Sequence, residues 1–400
     1  MRTTYEVADI IDKYYNDAFR IKLPVYKQRT LSALSSCRTA TLGGHIDACD
    51  QCGKQRISYN SCRNRNCPKC QGVQKEMWTI QREEELLPTT YFHVVFTLPH
   101  EFNGLCLYNP KFMYNLLFET AWYVLNTFSQ DPKWLGARSA ATMILHTWGQ
   151  QLTLHPHVHC IVPSGGLNDA GHWQRPKRGN SQFLYPILAM IKVYKAFFLK
   201  KLRKHLEAGE LRLPPYFPMS NEYYNWKKLL YKKNWVVYSK PPFGGVHNVV
   251  KYLARYSHRV AITNHRISAI DDQRVTFRYR DYQDNNQQKV LPLTGSDFLI
   301  RFCLHILPPR FRKIRHYGFL ANASKRKSLQ LARRSLNVKH LEALTRKERK
   351  ALAIERLFAT KEHRCTSCGK GQLVTMDVFL PNKDPPINIS INKTTCHYYN

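Results

Sequence analysis

The chain has 400 residues, enough for two or three domains, and carries 61 Lys and Arg against 28 Asp and Glu, a formal net charge of +33. An excess that large, mixed with 12% aromatic residues, argues against accidental basicity and for a polyanionic partner, nucleic acid first, because each neutralised phosphate releases counterions. There is no apolar run of about 18 residues to cross a membrane and no signal-peptide core, so a cytoplasmic protein without membrane partners is expected, its 12 cysteines serving as metal ligands and core residues rather than disulfides.

Residues 5–36 show a helical period, with Val7, Ile10, Ile11, Tyr14 and Phe19 on the apolar side. Residues 37–71 change character and hold six cysteines. Cys49-Asp-Gln-Cys52-Gly and Cys67-Pro-Lys-Cys70 are two C-x-x-C knuckles with fourteen residues between them, and such a pair can close a tetrahedral thiolate site for zinc. Cys37, His45 and Cys62 then form a second site with a further ligand, share ligands in a crossed arrangement, or pack in the core. The same loop carries Lys54, Arg56, Arg63, Arg65 and Lys69, and a zinc-pinned basic loop suits nucleic-acid reading better than chemistry.

Residues 72–87 read as a helix, Tyr91–Leu98 as a buried strand, and residues 111–129 as an aromatic-rich amphipathic helix. Ala141–Trp148 reads as a strand, Gly149-Gln-Gln151 as a turn, and Leu154-His-Pro-His-Val-His-Cys-Ile-Val-Pro163 as its hairpin partner. Alternate residues of a strand share a face, so His155, His157 and His159 point one way and Val158, Cys160 and Val162 the other. With His146 across the hairpin, three imidazoles can converge, and three neutral imidazoles with open positions make a catalytic metal site.

Residues 186–208 read as a lysine-rich helix, Trp235–Tyr238 as a strand and Pro241–Gly245 as a loop. Tyr252 and Tyr256 are four apart, a spacing that puts both phenols on one face of a helix, either as a core pair or as a reactive pair beside Arg255, His258 and Arg259. Strands are expected at Val260–Ile262, Arg266–Ile270 and Arg274–Tyr279, with Asp271-Asp272 as a turn, and a helix at 295–306. Between Arg301 and Lys361 there are 17 Lys and Arg against 3 acids, and Phe311–Asn322 interleaves aromatics with Arg312, Lys313 and Arg315 as single-strand binding surfaces do. Cys365-Thr-Ser-Cys368-Gly is a further half knuckle, with His363, Cys396 and His397 as candidate partners. No P-loop and no constellation of carboxylates stands out.

The order of zinc knuckles, HPHVHCIVPSGGL, KYLARYSHRVAITNHRI and RKIRHYGFLAN resembles the rolling-circle transposases of the insertion sequence 91 family, within the HUH endonucleases, named for two histidines around a hydrophobic residue. The resemblance runs from residue 20 to residue 335. It implies an α+β fold: a palm-like antiparallel sheet flanked by helices, an N-terminal zinc-binding domain and a basic helical C-terminal region. The expected divisions are 1–88, 89–310, 311–381 and a loosely ordered tail, 382–400. It implies His157 and His159 as paired metal ligands and Tyr252 and Tyr256 as nucleophiles. In conjugative relaxases, more distant members, a third histidine lies upstream of the pair; His146 takes a similar place here, with His155 as rival.

The implied activity is nicking and rejoining of single-stranded DNA at element ends, and then at target DNA, through a 5′-phosphotyrosine intermediate. The implied cofactors are Mg or Mn at the histidines, although three imidazoles by softness favour Mn, Zn or Ni, and structural Zn at the cysteines. Arg63, Arg65, Arg255, Arg259, Arg312, Lys313 and Arg315 are the expected DNA contacts. A replication initiator or relaxase would share the chemistry. A non-catalytic zinc-containing regulator would explain charge and cysteines but not three histidines with paired tyrosines.

Overall fold

The computed structural model describes residues 4–177, 184–215, 217–218, 221–240, 250, 258, 260–338, 342–358 and 365–383. Its helices are α1 (Val7–Tyr14), α2 (Asp17–Ile21), α3 (Val25–Ser35), α4 (Gln71–Glu83), α5 (Asn103–Tyr108), α6 (Pro110–Gln130), α7 (Ile187–Glu207), α8 (Asn221–Lys232), α9 (Gly295–Leu304), α10 (Lys325–Ser335) and α11 (Arg346–Phe358). Its strands are β1 (Gly44–Cys49), β2 (Gln55–Tyr59), β3 (Tyr91–Thr97), β4 (Ala140–Trp148), β5 (Leu154–Pro163), β6 (Gly166–Leu167), β7 (Trp173–Gln174), β8 (Val236–Lys240), β9 (Ile267–Ile270), β10 (Arg274–Asp281), β11 (Gln287–Thr294), β12 (Ile314–Gly318) and β13 (Leu373–Phe379). Among the described residues no helix is long and apolar enough to cross a membrane. Two compact units result: residues 81–257 with 307–343, and residues 1–80 with 258–306 and 344–400.

The first unit is built on an antiparallel five-stranded sheet in the order β12-β4-β5-β3-β8. Period-2 alternation decides its faces. Phe92, Val94 and Phe96 of β3, Ala141, Met143 and Leu145 of β4, and Val158, Cys160 and Val162 of β5 lie in one buried cluster with residues of α6 and α7. Phe118, Tyr194, Phe198 and Trp235 fill that layer, each fully buried large side chain contributing about 1.5–3 kcal/mol. Pro110 opens α6 where a missing N–H costs nothing, and Met113, Leu117, Ala121, Val124 and Phe128 recur on its buried face. The other face of the sheet carries the histidines. The antiparallel sheet flanked by helices is the expected fold class.

The second unit holds two three-stranded antiparallel sheets, β13-β1-β2 and β11-β10-β9. Phe277 of β10 packs edge-on against Phe298 of α9, ring centroids 5.9 Å apart. The helix expected over 5–36 is three helices. Asn16 caps α2, its side chain accepting from the Phe19 N–H, and Pro24, which lacks an N–H, stands before α3. Val260–Ile262 is buried but forms no strand, so the alternation there marks packing alone. Phe311–Asn322, read as a binding surface, contains the edge strand β12. Its alternate residues Arg315 and Tyr317 occupy the helix-covered face, where apolar residues would have announced a strand.

Candidate metal centres

The β4–β5 hairpin turns through residues 149–153, closed by the Gly149 N–H donating to Thr153 O at 3.0 Å, with Leu152 in the left-handed region at φ 59°. The register sets His146 opposite His157 and Ile144 opposite His159. One nitrogen of each of His146, His157 and His159 then lies within 4.8 Å of the others. Ring centroids are 5.5 Å apart for His146–His157, 4.7 Å for His146–His159 and 4.8 Å for His157–His159. His155 stands exposed at the mouth of the hairpin and is not one of the three converging residues. It contributes through its backbone: its carbonyl takes a hydrogen bond from His157 Nδ1 at 2.7 Å.

A fourth histidine holds the third ring. His93 on β3 places Nε2 2.9 Å from His159 Nδ1. Burial pushes the His93 imidazole down to about 4, so it is neutral at physiological pH. With Nδ1 of both His157 and His159 engaged, Nε2 is the ligand atom each has to offer. The donor set therefore suits a divalent cation held by three neutral imidazoles with open positions, two of them, His157 and His159, oriented by an outer hydrogen bond. Local pattern alone does not single out His93. Its signal was a histidine inside the otherwise apolar run Tyr91-Phe-His-Val-Val-Phe.

The edge strand β8 adds to the same face. Tyr238 pairs with Val95 and Lys240 with His93, while Val95 in turn pairs with His159. Tyr238 is 42% exposed, and Lys240 Nζ lies 5.5 Å from its ring centroid. An aromatic ring and a cation thus flank the histidines, the pairing that single-stranded nucleic acid uses for stacking and phosphate contact.

In the other unit the cysteines sort differently from the expectation. Cys49-Cys52 and Cys67-Cys70 do not close one site. One cluster is Cys37, Cys62, Cys67 and Cys70, and the other is Cys49, Cys52, Cys365 and Cys368. In the first, Sγ separations are 3.2 Å for Cys37–Cys70, 3.6 Å for Cys37–Cys67 and 3.7 Å for Cys62–Cys70. Hydrogen bonds from the Cys62 thiol foremost, and from that of Cys67, bring the Cys37 thiol down to about 7. Four sulfurs so close suit a tetrahedral thiolate zinc site. His45 belongs to neither cluster; its Nε2 lies 3.3 Å from Asp47 Oδ2. Of the partners expected for Cys365, His363, Cys396 and His397 lie outside the described residues.

A family model described as "Putative transposase" matches residues 140–328, and one described as "Transposase zinc-binding domain" matches residues 8–98. The chain is 40% identical over 395 residues, 96% of its length and 98% of the relative's, to "Putative transposase y4qJ" of Sinorhizobium fredii (strain NBRC 101917 / NGR234). The chain belongs to the insertion sequence 91 family of transposases. It is also 27% identical over 299 residues, 73% of its length and 70% of the relative's, to "Transposase for insertion sequence element IS801" of Pseudomonas savastanoi pv. phaseolicola. Among solved structures, the conjugative relaxase TrwC in complex with oriT DNA aligns with 42% of the chain and 71% of its own, at 11% identity and a TM-score of 0.24.

Of the transposase's expected DNA contacts, Arg63 and Arg65 sit between Cys62 and Cys67 of the first cysteine cluster, Arg63 exposed and at φ 51°. Arg312 is exposed and Lys313 half-buried. Arg315 departs from the expectation. Its guanidinium lies 4.2 Å from the Phe118 ring centroid and 5.1 Å from that of Phe311, and it donates to Asn115 Oδ1, so it packs under the helices on the face away from the histidines. Arg255, Arg259, Tyr252 and Tyr256 lie outside the described residues.

Proposed function

We propose that this transposase nicks and rejoins single-stranded DNA at the ends of its element through a 5′-phosphotyrosine intermediate, with Tyr252 and Tyr256 as nucleophiles and His146, His157 and His159 as metal ligands. The observation that carries the reading is the convergence of those three imidazoles within 4.8 Å on the sheet face away from the helical core. A divalent cation there, Mg or Mn, would polarise the scissile phosphate and offset the charge developing on its oxygens.

The chain's own groups do the rest. A tyrosine hydroxyl, with an ordinary pKa of about 10, loses its proton as its oxygen bonds to phosphorus. The phosphorus–O3′ bond breaks and the 3′ oxygen leaves as a hydroxyl. The 5′ end stays on the tyrosine, and because the phosphodiester is kept, a 3′-hydroxyl can attack it later to rejoin the strand without a nucleotide cofactor. Two tyrosines allow one to hold a cut end while the other cuts again. Tyr238 and Lys240 receive a base and a phosphate beside the histidines. Cys37, Cys62, Cys67 and Cys70 hold structural zinc and present Arg63 and Arg65 to the element ends.

The test is incubation with labelled single-stranded element ends and Mg or Mn. The expected product is a protease-sensitive adduct on the 5′ end of the fragment downstream of the nick, with a free 3′-hydroxyl on the upstream fragment. Nicking without any adduct, or protein linked to a 3′ end, would overturn the reading.

A further inference from the structure

We propose that Cys49, Cys52, Cys365 and Cys368 hold a second structural zinc ion, in a ribbon whose two halves come from opposite ends of the chain. Zinc–sulfur bonds of about 2.3 Å in a tetrahedron put sulfurs about 3.8 Å apart. Here Cys49 Sγ lies 3.7 Å from Cys368 Sγ, and Cys52 Sγ 3.8 Å from Cys365 Sγ.

The two halves are built alike. Both read Cys-x-x-Cys-Gly, Cys49–Gly53 and Cys365–Gly369. In both, the glycine takes φ 68°, a left-handed conformation that suits glycine, and its N–H donates to the first cysteine's carbonyl at 3.0 Å. Backbone N–H groups also point at sulfur: Cys52 to Cys49 at 3.5 Å, Ser367 to Cys365 at 3.4 Å and Gly371 to Cys368 at 3.4 Å. Such donors stabilise thiolates, and thiolates gathered this closely require a cation between them. The Cys67-Pro-Lys-Cys70 knuckle differs, since Gln71 follows it and begins α4.

Neighbouring structure is shaped to the cluster. β13 pairs with β1 from Gly44↔Phe379 to Cys49↔Leu373, which delivers one knuckle to the other. The Asp50 N–H donates to Gln372 O at 3.0 Å, and the Gln372 N–H returns to Asp50 Oδ1 at 2.8 Å. At Gly371 a Cβ would meet Cys49 Sγ at 2.3 Å, so only glycine lets the strand come this close. Disulfides are a poor alternative, because a sulfur–sulfur bond needs about 2.05 Å and all four sulfurs converge instead of pairing.

The consequence is that the zinc-binding domain is not complete in the N-terminal residues that the family model matches, 8–98. It closes only when the segment carrying Cys365 and Cys368 arrives, 313 residues along the chain from Cys52. A crosslink closing so long a loop constrains the unfolded chain more than a local one does.

Full-length protein decides the matter. Thiolate-bound zinc, released by a mercurial reagent and measured with a chromogenic chelator, should come to two ions per chain. Native alkylation followed by peptide mass spectrometry should leave Cys49, Cys52, Cys365 and Cys368 protected together and label them together once a strong chelator is added. The double variant Cys365→Ser/Cys368→Ser should release one zinc and lose protection at Cys49 and Cys52 while Cys62 and Cys67 stay protected. The labelling pattern of the unaltered chain answers the question even if that variant does not fold. Release of one zinc from the unaltered chain, labelling of Cys365 and Cys368 while Cys49 and Cys52 stay protected, or loss of a zinc in Cys396→Ser would overturn the proposal. None of these readouts depends on nicking activity.

Discussion

His93 and His159 share a hydrogen bond of 2.9 Å across the β3–β5 pair, Nε2 of one facing Nδ1 of the other. With a metal on His159 Nε2 the proton of that ring would sit on Nδ1, so His159 would donate and neutral His93 accept. Removing the acceptor should loosen the ring. His93→Leu is expected to weaken the metal about 10–100-fold, with nicking recovered at high Mn, whereas His93→Gln, which keeps an acceptor, should lose less. Adduct yield against metal concentration checks this; identical curves for the two variants and the parent would remove His93 from the site.

The three converging imidazoles give a sharper contrast. His146→Ala, His157→Ala or His159→Ala should each lower adduct formation by about a thousandfold, about 4 kcal/mol in the barrier, with the thermal transition kept. His155→Ala should cost roughly tenfold or less, because its ring is not one of the three that converge and its carbonyl, which the variant keeps, is what holds His157 Nδ1. Full activity in His146→Ala with loss in His155→Ala would exchange their roles.

The tyrosines are tested by removing only a hydroxyl. Tyr252→Phe and Tyr256→Phe should each still form an adduct yet fail at complete transposition, and the double variant should form none. Tyr317→Phe is the control. That ring stacks on Trp122, centroids 5.4 Å apart at 18°, and burial raises its hydroxyl above the usual range, so its loss should leave the adduct unchanged.

Arg315 and Arg312 separate packing from binding. Arg315→Ala breaks a cation–π contact and a charged hydrogen bond, so it should cost about 2 kcal/mol of stability and lower the melting temperature. It should leave the salt dependence of single-strand binding unchanged. Arg312→Ala, an exposed cation, should do the reverse, reducing the slope of log affinity against log salt by about 0.7. A reduced slope for Arg315→Ala at constant stability would restore it as a DNA contact.

What the sequence determined by itself was local. The alternation through His155–Val162 sorted histidines from core residues, because a strand's period of two is a property of the backbone and a one-residue slip would bury the wrong set. The hairpin partner of that strand lay within a few residues, so His146 could be named as well. Each C-x-x-C was legible as half a site for the same reason, since a knuckle is one turn of chain.

Tertiary structure decided whatever depends on contacts between distant segments. Which knuckle completes which was beyond local reading: nothing near Cys49 points to Cys368, 319 residues away, until β13 pairs with β1. His93 reaches His159 only because β3 is the neighbour of β5 in the sheet. Arg315 looked like a free cation in a basic run, yet β12 is an edge strand whose register with β4 turns it under α6. Residue type and spacing announce what a short segment can do; which segments meet is a property of the whole fold, where burial and strand register outweigh local pattern.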